Sequence, residues 1–174
     1  MRDMYGIDYY EKMLKLYSQT GEMISKIRWH FLSEIRPKLV LDYGAGLGWF
    51  RAIRPFGVEV DSYDIDEFPV KHTGILHDKY DVICMWDVLE HIINFSFLED
   101  LFKKTNYIAL TYPILPEGVK LAEWFHFKPL EHVHYLDTNK LETIFTNFGF
   151  KLLKNEMPEC PPRKDIHSFL FEKI

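Results

Sequence analysis

Between residues 8 and 35 the side chains Tyr9, Met13, Leu16, Tyr17, Ile24, Ile27, Phe31 and Leu32 recur at spacings of three and four. That is the period of one face of an α-helix. Gly21 interrupts the pattern and Pro37 ends it. The period then changes. Lys38 to Tyr43 form a short apolar run that stops at glycines, the mark of a buried strand. Residues 44–48 are a loop, and 49–53 suit one short helix ended by Pro55 and Gly57. Residues 58–63 alternate and predict a second strand, and Tyr80 to Trp86 a third. Asp87 is placed to cap a following helix. Residues 97–104 continue helical, and 107–111 predict a strand ended by Pro113. From 114 to 136 no period is visible. Asp137 or Thr138 can cap a helix that carries Leu141, Ile144, Phe145 and Phe148 and is closed by Gly149. Residues 150–153 and 168–171 are the last strands. Strands alternating with helices predict a parallel α/β sheet that takes ligands at the carboxyl ends of its strands.

Composition narrows the picture. The chain has 174 residues, suiting a single domain, with a helical N-terminal cap at 1–36 and a core at 37–174. Hydrophobic residues make up 47%, enough to fill that core. The formal charge of −5 gives no bulk attraction to a phosphate backbone, so nucleic acid is not an expected partner. The two cysteines, Cys84 and Cys160, form neither a CxxC pair nor a metal-ligand cluster. With no apolar leader after the first methionine and no apolar run near ~18 residues, a cytoplasmic protein without membrane contact is expected. Oligomeric state leaves no trace in the sequence.

The sharpest chemical feature is the stretch from Val40 to Gly48. Gly44, Gly46 and Gly48 alternate at a strand-to-helix junction, where a ligand can approach the backbone without meeting a Cβ. A dinucleotide site would need Gly or Ala at 49, and Trp49 stands there. Asp42 beside a pyrophosphate would also be unfavourable, whereas a carboxylate suits a ligand bearing an ammonium group. Twenty residues after Gly44 comes Asp64, where a carboxylate can accept both ribose hydroxyls. Asp66 and Asp61 are rivals for that role.

These blocks, with Tyr80 to His91 and Glu131 to Asp137, resemble the class I S-adenosylmethionine-dependent methyltransferases over roughly residues 36 to 174. The stretch from Glu131, with the helix ending at Phe148 to Phe150, is similar to the branch labelled type 11, 12 or 23, which includes ubiquinone-pathway O-methyltransferases. The resemblance implies a Rossmann-like, seven-stranded, mostly parallel sheet with an antiparallel last strand and helices on both faces. It implies S-adenosyl-L-methionine as cofactor. Asp42, Gly44, Ala45 and Gly46 would hold the methionine end, with Gly48 serving helix packing. Asp64 would hold the ribose, Ile65 would lie against the adenine, and the backbone at Met85 and Trp86 would line the methionine side. One departure stands out. Only 13 residues separate Asp66 from Tyr80, too few for the helix, strand and acidic adenine contact the family fits there. His77 and Asp78 are what this stretch offers the adenine.

Methyl transfer needs in-line approach and a desolvated acceptor, and a general base only if the acceptor must lose a proton. His91, His132 and His134 are the candidates, with His126 behind them. His132 and His134, two apart in an extended segment, would face one side. In ubiquinone-type relatives residues similar to Asp87, Glu90 and His91 have been associated with a divalent metal. Two carboxylates and one imidazole are a thin set, and no metal is expected. Trp86, Trp124 and Phe125 offer an aromatic wall to an acceptor. No Asp/Asn-Pro-Pro motif follows the Tyr80 strand and no proline precedes Cys160, which disfavours the nucleic-acid enzymes. The expected activity is methylation of a small-molecule O or N acceptor. The alternative is a non-catalytic S-adenosylmethionine-binding regulator or partner subunit.

Overall fold

The computed structural model describes residues 20–65, 71–161 and 163–174, together with Glu11 and Lys15. Its strands are β1 (Leu39–Tyr43), β2 (Glu59–Tyr63), β3 (Tyr80–Trp86), β4 (Thr105–Pro113), β5 (Phe150–Glu156) and β6 (Ile166–Lys173). Its α-helices are α1 (Gly21–Phe31), α2 (Trp49–Ala52), α3 (Leu98–Phe102) and α4 (Thr138–Asn147). The strands form one sheet in the order β2-β1-β3-β4-β6-β5. β2, β1, β3 and β4 are parallel, and β6 runs antiparallel to both β4 and β5.

Period-two alternation builds the two cores. On one face Val40, Val82, Cys84, Ala109 and Leu170 meet Trp29, Phe31, Leu32 and Phe50 from α1 and α2 and their flanks. On the other, Leu41, Ile83, Met85, Ile108, Leu110, Phe169 and Phe171 meet Leu98, Leu101 and Phe102 of α3 and Leu141 and Phe145 of α4. Helices therefore cover both faces, as expected. The Asp137 cap also holds, since its Oδ1 accepts the Lys140 N–H at 2.8 Å.

Two expectations change. Among the described residues the sheet has six strands rather than seven. The missing strand falls in the short stretch before Tyr80. What is described of it runs beside β2 through side-chain bonds, with Thr73 Oγ1 accepting the Ser62 N–H at 2.8 Å. Gly21 marks a helix boundary as expected: Thr20 is a turn and α1 begins at Gly21, where the Trp49 ring packs so closely that a Cβ would lie 3.0 Å from its Cγ. Tyr9, Met13, Leu16 and Tyr17 of the expected N-terminal helix lie outside the described residues. Finally, Asp87 caps nothing. It sits at φ +61°, and only a 3-10 turn, Leu89–His91, follows.

Candidate functional site

The carboxyl ends of β1, β2 and β3 lie side by side, and the candidate residues gather there. Asp42, near the end of β1, is 2% exposed and its Oδ2 has no hydrogen-bond partner. Burial pushes its carboxyl up to about 7, the Arg28 charge pulls it down, and Asp64 pushes it up again. The loop after β1 turns on Gly44, Gly46 and Gly48, at φ +79°, +49° and +71°. A Cβ on Gly44 would lie 2.3 Å from Val88 Cγ2, whereas one on Gly46 would meet nothing within 4 Å. The loop is tied to β2. The N–H groups of Gly44 and Ala45 donate to the Tyr63 carbonyl at 2.7 and 3.0 Å. The Gly46 N–H donates to Asp64 Oδ2 at 2.7 Å.

The three candidate ribose acids separate. Asp61 accepts from Tyr80 Oη at 2.6 Å, His77 Nδ1 at 2.9 Å and the Leu76 N–H at 3.0 Å. Burial alone would raise its carboxyl, and those bonds lower it instead. Asp61 is thus part of the frame, and so is His77. Asp78 pairs with Lys104 at 3.3 Å. Asp66 lies outside the described residues. Asp64 is half-buried against the glycine loop, with Ile65 beside it 70% exposed. Met85 and Trp86 are buried in β3.

Asp87 belongs to a part-buried quartet of charges. Arg28 Nη2 donates to its Oδ2 at 2.8 Å, and Arg163 Nη2 to its Oδ1 at 2.8 Å. Arg28 Nε donates to Glu159 Oε1 at 2.7 Å, and Arg163 also bonds Glu159. Thr111 Oγ1 donates to Asp87 Oδ1 at 3.0 Å. Burial would raise the Asp87 carboxyl, but the Arg163 and Arg28 charges hold it well below the usual range. The positive φ of Asp87 is what turns its carboxylate to these arginines rather than to a helix N-terminus.

His91 and His132 come together, with ring centroids 4.9 Å apart. His91 Nδ1 bonds the Glu131 carbonyl at 2.9 Å. His132 is 6% exposed with no partner at Nδ1, and burial pushes it down to about 4. Burial also lowers His91. Both imidazoles are therefore in the proton-accepting form at neutral pH. Glu90, 2% exposed with no partner at Oε2, is pushed up to about 8 by burial and then by the Asp87 charge. One ligand atom from each of Glu90, His91 and His132 lies within 4.8 Å of the others. A cation-holding set would thus be these three, since Asp87 is occupied by arginines. His134 lies elsewhere. Its Nε2 bonds the Ile92 carbonyl at 2.7 Å and its ring packs on Phe95 at 4.7 Å.

Comparison with known proteins supplies the family. A family model described as a methyltransferase domain matches residues 17–155. The chain belongs to the methyltransferase-domain family. Its members use S-adenosylmethionine. No curated protein matches by sequence. Among solved structures, the chain is similar to the mitomycin 7-O-methyltransferase MmcR, with TM-score 0.73 and 10% identity over 95% of this chain and 56% of that one. It is similar to TnmH, with TM-score 0.69 and 14% identity over 96% and 59%. It is also similar to magnesium protoporphyrin IX methyltransferase from Synechocystis PCC 6803 with bound SAH, with TM-score 0.66 and 13% identity over 99% and 98%. The methyltransferase domain thus spans about three fifths of TnmH and nearly all of the Synechocystis enzyme.

The residues present fit the family's cofactor. The orphaned Asp42 Oδ2 lacks a cationic partner, and the open space beside Gly46 is a cradle that a side chain would fill. Gly44 is required by packing instead. Gly44→Ala should destabilise the methyltransferase domain by about 2–4 kcal/mol, combining the Val88 clash with left-handed strain. Val88→Ala on that background should recover only the clash, and thermal unfolding of the three variants reads both parts.

Sequence reasoning did not single out Arg28, Glu159 and Arg163. A signal for Arg28 exists. It stands four residues after Ile24 and four before Leu32, a charge in phase with the apolar stripe of α1. Nothing in the sequence pairs it with Glu159, 131 residues away.

Proposed function

We propose that this chain is a single-domain, cytoplasmic S-adenosylmethionine-dependent methyltransferase acting on a small-molecule O or N acceptor. The observation that carries this reading is the buried, unpartnered Asp42 carboxyl beside the glycine loop at the end of β1. A permanently cationic ligand group matches it, and a phosphate does not. When bound, S-adenosylmethionine supplies a sulfonium-activated methyl group. Asp42 holds the ammonium of its methionine end, with the Gly44, Ala45 and Gly46 backbone alongside and Gly48 turning the chain into α2. Asp64 holds the ribose, Ile65 offers an exposed apolar face to the adenine, and Met85 and Trp86 form the β3 wall. His91 and His132 stand at the acceptor side as proton acceptors. His134 positions that loop through Ile92 and Phe95 rather than touching the acceptor.

The small-molecule assignment draws on the charge of −5 and on neighbours named for mitomycin and N-acetylserotonin. The 16S rRNA methylase ArmA shares the fold at TM-score 0.57, so fold alone does not choose the acceptor. Among the described residues no helix is long and apolar enough to cross a membrane. A second reading, cofactor binding without catalysis, is favoured by the absence, among the described residues, of a strand between β2 and β3.

Thermal unfolding with S-adenosylmethionine, S-adenosylhomocysteine and NAD tests the proposal. A ligand at a hundredfold its Kd stabilises by about 2.7 kcal/mol, which for this size is a shift of roughly 5–10 °C. Both sulfur ligands should raise Tm and NAD should not. A shift with neither sulfur ligand removes the enzyme reading. Tight binding without turnover of any hydroxyl or amine acceptor supports the second reading.

A further inference from the structure

Resting on the reading of His132 as an acceptor-side base, we propose that Asp165 is a positioning residue: it fixes the Trp124 indole and, through it, the segment that carries His132. Asp165 lies where β4 hands the chain to that segment. It immediately precedes β6, and its carbonyl accepts the N–H of Ile114, the residue after β4, at 2.9 Å. Its carboxylate Oδ2 accepts from Trp124 Nε1 at 3.1 Å. It does both at φ +64°, a region that aspartate and asparagine enter more readily than other side chains. Two bonds from one residue thus pin the segment at its root and again at Trp124.

The Asp165 bond also decides which of two adjacent aromatics turns inward. Trp124 is 5% exposed and Phe125 is 81% exposed. A buried indole N–H needs an acceptor, whereas a phenyl ring has no polar group to satisfy. Without the carboxylate, the inward place would leave Trp124 with an unmade hydrogen bond.

From Trp124 the packing runs to His132. The indole meets the His126 ring at 5.1 Å and the Tyr135 ring at 6.4 Å. His126 Nε2 bonds the carbonyl of Lys164, the neighbour of Asp165, at 3.2 Å. Tyr135 Oη accepts the Lys128 N–H at 3.0 Å, and the Lys128 carbonyl accepts the His132 N–H at 2.7 Å. The His126 backbone bonds the His132 ring while Nδ1 has no partner, which makes Nδ1 the lone-pair nitrogen. The opposite side of the segment is held separately, by the Val133 N–H on the Glu90 carbonyl at 2.8 Å and by His134 on the Ile92 carbonyl. That side sets where His132 sits. The Asp165 side sets how its ring is turned and which nitrogen carries the proton.

Three variants test the assignment. Asp165→Gly removes the carboxylate and keeps the backbone conformation, and Asp165→Asn keeps an acceptor oxygen at a φ that asparagine also adopts. Nitrogen NMR of isotope-labelled histidine should show one lone-pair and one protonated ring nitrogen for wild-type His132, the signals being identified by their loss in His132→Gln. In Asp165→Gly the two signals should move toward each other, the mark of a ring no longer held in one tautomer, and Asp165→Asn should restore the wild-type pair. Amide exchange over residues 121–127 should be about ten- to a hundredfold faster in Asp165→Gly, the worth of a buried donor left without its acceptor. The affinity for S-adenosylhomocysteine, read by calorimetry, should change by less than about twofold, because Asp42 and the glycine loop are untouched. Where Asp165→Gly does not fold, Trp124→Phe removes the other half of the bond and should move the His132 signals in the same way. Wild-type His132 signals or wild-type exchange in a folded Asp165→Gly or Trp124→Phe chain, or no restoration by Asp165→Asn, overturns the Asp165 assignment and leaves the cofactor reading intact. Failure of the wild-type chain to bind S-adenosylhomocysteine overturns the cofactor reading and the assignment with it.

Discussion

Arg163→Met is expected to lower the stability of the chain by about 3–5 kcal/mol, the range for removing one partner from a buried ion pair. In a chain of this size that is a fall in Tm of roughly 10 °C. Arg163 is 18% exposed at its side chain and Glu159 is fully buried, so solvent screens little of the loss. The variant leaves two carboxylates facing the Arg28 guanidinium alone. Adding Glu159→Gln removes the surplus charge, and the double variant should regain a large part of the lost stability. Groups in one network do not add, so a double-mutant cycle should show a coupling of about 2 kcal/mol or more. Additive losses would mean that Arg163 acts through packing rather than through Asp87 and Glu159.

Asp42→Asn is expected to separate stability from ligand binding. It should weaken S-adenosylmethionine binding by about a hundredfold, as expected when a charged partner is removed from a desolvated site. The unliganded chain should not weaken, because Asp42 has no partner to lose. The pH dependence carries the sign. The Asp42 carboxyl is raised in the folded chain to about 7 from a reference of 3.8. The folded state therefore holds its proton more tightly than the unfolded state. That contribution is fully present at low pH and is lost as pH rises through the window from about 4 to 7, at a cost of order 4 kcal/mol. Asp42→Asn removes the loss, so the variant should be the more stable protein at pH 8. Binding has the opposite slope. An ammonium ligand favours the carboxylate, so wild-type affinity should tighten from pH 6 to pH 8 while that of Asp42→Asn stays level. Calorimetry at three pH values with both proteins measures this. A level wild-type profile would place the ammonium elsewhere.

Most of the sheet was legible because β1 and β3 are apolar runs closed by glycines or by a change of period. Buried parallel strands must read that way, since both of their faces meet helices. The glycine loop was legible for the same local reason. The seventh strand was expected from resemblance, and the count of residues between Asp66 and Tyr80 already opposed it. The tertiary contacts were not legible. Asp87 carries the sequence signature of a helix cap, but two arginines from distant segments compete for its carboxylate and win. Asp61 and Asp64 look alike in sequence. Only the positions of Tyr80 and His77 commit the first to the frame and leave the second against the glycine loop. His132 and His134 fit one extended face by spacing, but the sequence does not show that His134 has the Ile92 carbonyl as its partner.

The short segment after β2 also bears on how copies of this chain behave towards one another. Among the described residues no strand pairs with the far side of β2, which therefore borders the sheet, and an exposed strand border is a template for edge-to-edge aggregation. Here side chains do the work of the absent strand. Thr73 Oγ1 accepts the Ser62 N–H at 2.8 Å and donates to the Ser62 carbonyl at 3.3 Å, while the Gly74 N–H reaches that carbonyl at 2.9 Å. The backbone groups of Ser62 are thereby occupied, and they are not available to pair with the border of a second copy.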